Sequence, residues 1–140
     1  MGNAKLEGDV RCAGYSSEVT AVVAFNPVLD LTGMPHRENV VESLLGGTCE
    51  SKLDLCREAS PMEYAGKQSA PILILHGTAD ETVPYAQATA MASKLQAAGV
   101  KVKLFTAPGG PHTFWSQPQW YKPWERAVVE FLGPWLDTTP

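Results

Sequence analysis

Residues 71–84 read Pro-Ile-Leu-Ile-Leu-His-Gly-Thr-Ala-Asp-Glu-Thr-Val-Pro. The run Ile72–Leu75 has no polar alternation and fits a strand covered on both faces, as strands of parallel sheets are. Gly77–Thr82 is rich in turn residues, and Pro84 fits the first turn of a helix. From Tyr85 to Ala98 the chain is Ala-rich, with Ala88, Met91, Ala92 and Leu95 recurring on one face and Gly99 as the stop. Val100–Thr106 then alternates Val100, Val102 and Leu104 against Lys101, Lys103 and Phe105, a strand with one wetter face near a sheet edge. A strand–helix–strand crossover of this kind makes the two strands parallel.

Working outward, Val19–Phe25 is a second near-continuous β-branched run, ended by Asn26-Pro27. The stretch 28–37 has few periodic apolar residues and reads as a loop with His36 in solvent. Glu38–Leu45 places Val40, Val41, Leu44 and Leu45 on one helical face, with Gly46-Gly47 as a stop. Residues 50–58 suit another short helix, after which Ala59-Ser60-Pro61 turns the chain. Trp124, Val128, Phe131 and Leu132 recur at helical intervals near the end, with Pro123 near the helix start and Pro134 near its end. The expectation is one α/β domain over residues 1–140: a mostly parallel three-stranded sheet with helices on both faces and a lid-like helical excursion over 38–70.

The composition suits that expectation and excludes others. With 140 residues, 44% hydrophobic and 19% charged, the chain can bury one core and does not resemble a disordered segment. Its net charge of −4, without a Lys/Arg cluster, leaves no footprint for nucleic acid. Its apolar runs are far shorter than the roughly 20 residues that span a bilayer. The first eight residues lack the apolar core of a signal peptide, which suits a cytoplasmic protein or one whose leader has been removed. Cys12, Cys49 and Cys56 make an odd count, so at least one thiol is free. Buried or half-buried thiols are the expectation, and a Cys49–Cys56 disulfide remains open in an oxidising compartment. The spacing does not suit structural zinc, and there is no Gly-rich phosphate loop, so no metal or cofactor is expected.

Because the strands at 72–76 and 100–106 are parallel, the loops that follow them leave the same edge of the sheet. One delivers Asp80 and the other His112, and at about 4.8 Å between neighbouring strands a carboxylate–imidazole hydrogen bond is within reach. Such a carboxylate fixes the imidazole tautomer and stabilises the imidazolium, so that the other ring nitrogen takes a proton from a hydroxyl nucleophile. Each residue also has a plainer reading: Asp80 as a turn or capping residue ahead of Pro84, His112 as a surface-loop histidine. His76, at the end of an apolar strand, reads as packed and hydrogen-bonded rather than catalytic. Phe114, Trp115, Trp120, Tyr121, Trp124 and Trp135 read mainly as the packing face of the last helix, with an aryl or sugar pocket as the alternative.

The segments His76-Gly-Thr-Ala-Asp-Glu-Thr-Val-Pro84 and Gly109-Gly-Pro-His-Thr-Phe114 resemble the acid and histidine loops of the serine α/β-hydrolases. The resemblance is to the esterase and prolyl-oligopeptidase-like branch, which includes feruloyl and acetyl esterases. Leu45-Gly-Gly47 and Ala59-Ser60-Pro61 match it too, and it extends from about Val19 to Leu136. It implies Asp80 as the triad acid, His112 as the base, and a carboxylic-ester hydrolase acting on a small-molecule ester. The family's Gly-x-Ser-x-Gly nucleophile elbow is absent. Gly14-Tyr-Ser-Ser-Glu18 departs from it at Glu18, and no strand precedes it. The resemblance therefore implies a truncated α/β-hydrolase fold that begins after the elbow. The nucleophile would be Ser17, Ser16, Ser116 or a serine of another chain, or Cys12 in a dienelactone-hydrolase-like variant. The alternative is a catalytically incomplete remnant that serves in binding or assembly. An unpaired edge on the strand at 19–25 is also a template for a second copy or a partner chain.

Overall fold

The computed structural model describes residues 16–34 and 38–136. Cys12, Gly14, Tyr15 and His36 lie outside the described residues. Strand β1 (Val22–Phe25) is followed by three short helices, α1 (Glu38–Leu45), α2 (Leu53–Glu58) and α3 (Pro61–Tyr64). Strand β2 (Ile72–Gly77), helix α4 (Tyr85–Ala97), strand β3 (Val102–Ala107), a 3-10 turn at Phe114–Ser116 and helix α5 (Pro118–Leu136) complete the described residues.

The sheet has the order β1-β2-β3 and every pairing is parallel, with Val22 opposite Ile72 and Ile72 opposite Val102. Period-two alternation sends the side chains of β2 to two faces. Ile72 and Ile74 pack with Leu29, Ala88, Met91 and Leu95 on the α4 face. Leu73 and Leu75 pack with Ala107, Phe114, Ala127 and Phe131 on the α5 face. Both faces of β2 are thereby closed, and all six of its residues are buried. That is why this strand reads as continuously apolar.

The expected element order holds, with corrections at the edges. The first strand is shorter than 19–25, because its partner β2 begins after Pro71. The proline has no N–H to extend the ladder, and its carbonyl takes the first bond, from Val22 N at 2.8 Å. The third strand starts at Val102, since Val100 N instead closes the end of α4 on Leu95 O at 3.0 Å. Its Lys101/Lys103/Phe105 face is the wetter one, as expected, with both lysines exposed at the rim of α5. Phe105 stacks on Phe114 at 6.2 Å, Lys101 Nζ sits 4.7 Å above the Trp135 ring, and Lys103 Nζ reaches Glu130 at 3.3 Å. The lysine stems lie along the helix while their charges stay at its rim.

Helix α5 begins at Pro118 rather than near Pro123. Trp120 and Trp124 both pack on the α5 face of the core, so the apolar stripe starts a turn earlier than Trp124 alone suggests. A proline at the first helical position costs nothing, whereas Pro123 removes one bond from the interior. The turn expected at Ser60-Pro61 is followed by one helical turn, α3, with Pro61 at its start. Cys49 and Cys56 are not thiols but form a disulfide, with Cα atoms 5.4 Å apart. Helix α2 turns Cys56 into a small core with Leu31, Val41 and Leu45, and Cys49 packs against the same cluster.

Candidate active site

Two loops meet at the carboxyl edge of the sheet. Thr78 N donates to Ala107 O (3.0 Å), Ala79 N to Gly110 O (3.0 Å) and Gly109 N to Thr78 Oγ1 (2.8 Å), so the loops after β2 and β3 are bonded along their lengths. The approach is so close that a Cβ on Gly77 would lie 2.1 Å from Gly110 O. Gly109 turns the second loop with φ +71, a conformation that costs glycine little.

Asp80 and His112 are brought together by this zipper. His112 Nδ1 lies 2.8 Å from Asp80 Oδ2; the aspartate side chain is fully enclosed and the imidazole is 35% exposed. Asp80 Oδ1 accepts from Thr82 N and Val83 N, both at 2.8 Å. The capping reading and the pairing reading are therefore both realised, one on each oxygen. Burial pushes the Asp80 carboxyl up, but the Val83 N–H, the His112 side chain and the Thr82 N–H outweigh it and hold the carboxyl below the ordinary range. With Nδ1 donating to the carboxylate, Nε2 of His112 is the nitrogen left to take a proton. A cleft of about 340 Å³ lined by Ala79, Glu81, Thr82, Pro111, His112 and Thr113 lies at this point. A larger depression of about 480 Å³ lies elsewhere, among Leu31, Met34, Val41 and Cys49, and includes neither Asp80 nor His112.

Two further residues hold the pair, and the sequence reading did not connect either with it. His76 is fully buried, as expected of a packed residue, yet its Nε2 lies 3.1 Å from Asp80 Oδ2 and 3.0 Å from Val83 O. Asn26, at the end of β1, is 5% exposed with φ 44, and its Nδ2 donates to the His112 carbonyl. Asparagine tolerates this left-handed conformation, so the end of one outer strand reaches across to the loop of the other.

The candidate serines are placed as follows. Ser116 Oγ donates to Thr113 O at 2.9 Å and closes its own turn. Ser16 Oγ accepts from Glu18 N at 3.1 Å; Ser17 is exposed beside it. Ser60, in the Ala59-Ser60-Pro61 match, is buried and fully engaged, accepting from Leu31 N and donating to Cys56 O. The aromatics expected to pack do so. Phe114, Trp115, Trp120, Trp124 and Trp135 join the core on the α5 face, while Tyr121 stays exposed.

Three parallel strands, helices on both faces, and acid- and histidine-bearing loops at one sheet edge define a portion of an α/β-hydrolase. The chain belongs to the BD-FAE family, whose model matches residues 1–95 and so includes Asp80 but stops short of His112. It is 29% identical to Esterase LipQ of Mycobacterium tuberculosis over 110 residues, covering 72% of this chain and 26% of that protein. It is 30% identical to Dipeptidyl-peptidase 4 of Giardia intestinalis over 101 residues, covering 70% of this chain and 13% of that one. Among solved structures, the propionate-bound esterase Est2 of Thermogutta terrifontis is similar with TM-score 0.74 and 27% identity, over 93% of this chain and 48% of that one. A truncated carbohydrate esterase from gut microbiota is similar with TM-score 0.69 and 28% identity, over 81% of this chain and 43% of that one. The chain thus spans less than half the length of each of these proteins. By family and by structural likeness it is similar to a part of esterase-like hydrolases.

Proposed function

We propose that this chain carries the acid and the base of a carboxylic-ester hydrolase acting on small esters. The observation that supports the reading most is the 2.8 Å Asp80–His112 contact between an enclosed carboxylate and a partly exposed imidazole at a cleft. In this reading Asp80 keeps the proton of His112 on Nδ1. Nε2 takes the proton of a serine hydroxyl as its oxygen attacks the ester carbonyl carbon, then returns that proton to the departing alkoxide. Water repeats the sequence on the acyl-enzyme and releases the carboxylic acid and the free serine. The nucleophile in this reading is Ser16, Ser17, Ser116 or a serine of another chain. A fluorophosphonate label located by peptide mass spectrometry separates these sources.

Hydrolysis of short-chain p-nitrophenyl esters tests the reading. Loss of a positioned general base costs about 10²–10⁴ in rate, so activity is expected to fall to background in both His112→Ala and Asp80→Ala. Equal rates in the chain and both variants would overturn the proposal. They would favour the second reading, a binding or assembly module.

A further inference from the structure

We propose that His76 is a positioning residue that fixes the Asp80 oxygen on which His112 rests; this inference stands on the Asp80–His112 couple proposed above. Two imidazoles converge on one carboxylate oxygen, His112 Nδ1 at 2.8 Å and His76 Nε2 at 3.1 Å. They are not equivalent. The His112 ring is 35% exposed, whereas the His76 side chain is fully enclosed in the end of β2. His76 lies edge-on to Tyr85 at 5.8 Å, and the Tyr85 hydroxyl is itself tied to Thr106 Oγ1 at 2.7 Å.

The neighbours of His76 assign its tautomer. Nε2 faces two acceptors, Asp80 Oδ2 and the Val83 carbonyl, and therefore carries the proton. Nδ1 is buried and has no hydrogen-bond partner among the described residues. A leucine would fill this place in an apolar strand without leaving a buried nitrogen unpaired, which is a desolvation cost. What the imidazole adds over an apolar side chain is its donor. The main-chain donors of Thr82 and Val83 hold only Oδ1. The other oxygen pairs with His112 from outside and has the immobile His76 ring against it from inside, where the Nε2–H that bonds to Val83 O lies 3.1 Å away. His76 thus sets the Oδ2 position independently of the more exposed His112.

The test is nitrogen-15 NMR of the full chain, which needs no turnover. The expected wild-type signature is His76 as the Nε2–H tautomer together with a hydrogen-bonded Nδ1 proton on His112. In His76→Phe, which keeps a ring but no donor, that His112 proton is expected to exchange with water about tenfold faster or more, because the Nε2–H between Val83 O and Asp80 Oδ2 is gone. His76→Gln, which returns an N–H, is expected to restore slow exchange. A proton found on Nδ1 of His76, unchanged exchange in His76→Phe, or equal behaviour of the Phe and Gln variants would overturn the proposal. Should the Phe variant not fold, the wild-type tautomer and the Gln variant still decide. Asp80→Asn separates the two readings: if it also leaves the His112 proton unchanged, the couple itself is absent. If only His76→Phe leaves it unchanged, the couple stands and His76 is merely packed.

Discussion

Asp80 does two jobs with two oxygens, and the division explains how a surface loop keeps an enclosed carboxylate ionised. Oδ1 satisfies the turn that leads into Pro84, and Oδ2 pairs with His112 while His76 Nε2 lies 3.1 Å from it. Because hydrogen bonds outweigh burial, the carboxyl lies below its ordinary range in the folded state. The unfolded chain, with a carboxyl near about 3.9, takes up the proton first as the pH falls. The stabilisation is therefore complete above about pH 4 and is lost as the pH drops through the folded value. Urea unfolding is expected to show a lower midpoint at pH 3 than at pH 5, with a smaller difference in Asp80→Asn; an identical difference in the two proteins would refute this assignment. The meeting of Asp80 and His112 was legible in the sequence because a parallel crossover commits both loops to one edge. The contacts of His76 and Asn26 were not. They depend on the ring rotamer inside β2 and on one left-handed residue, neither of which hydrophobic periodicity encodes.

Between elements, the closest tolerance is at Gly77, where the end of β2 lies against the loop after β3. A Cβ there would meet Gly110 O at 2.1 Å and Pro111 O at 2.9 Å, and backbone atoms cannot swing aside. Gly77→Ala is expected to cost about 3 kcal/mol or more in urea unfolding, the upper range for overpacking a fitted interior, and to abolish ester hydrolysis by parting the two loops. A stability within experimental error of wild type would show that the loops are not interlocked. The strand and helix periods made the elements legible, since Ile72–Leu75 and the Ala88/Met91/Ala92/Leu95 stripe each fit one template. Their ends were less so. Pro71 shortens β1 from the neighbouring strand, and Trp120 starts α5 early by packing on the sheet, both effects of partners remote in sequence. The Cys49–Cys56 bond likewise depends on where α2 points, which spacing alone left open.

At the scale of the molecule, the sheet has two outer strands and they differ. On β1, Val22 N and Asn26 N donate inward to Pro71 O and Leu75 O, so by alternation the N–H groups of Val23 and Phe25 face outward. All four residues of β1 are half-buried, and among the described residues its one strand neighbour is β2. We expect a second copy of the chain to pair here, giving a dimer or larger species in gel filtration. Val23→Pro removes an outward N–H without touching the β1–β2 ladder, and it should return the protein toward monomer. A wild-type chain that elutes as a monomer would exclude this association. The most direct test of the Asp80–His112 couple is a double-mutant cycle on p-nitrophenyl butyrate hydrolysis with Asp80→Asn, His112→Ala and the double variant. If the two residues act as one proton-transfer unit, the double variant is no slower than His112→Ala alone. Losses that multiply, or three variants as fast as the wild-type chain, would contradict it.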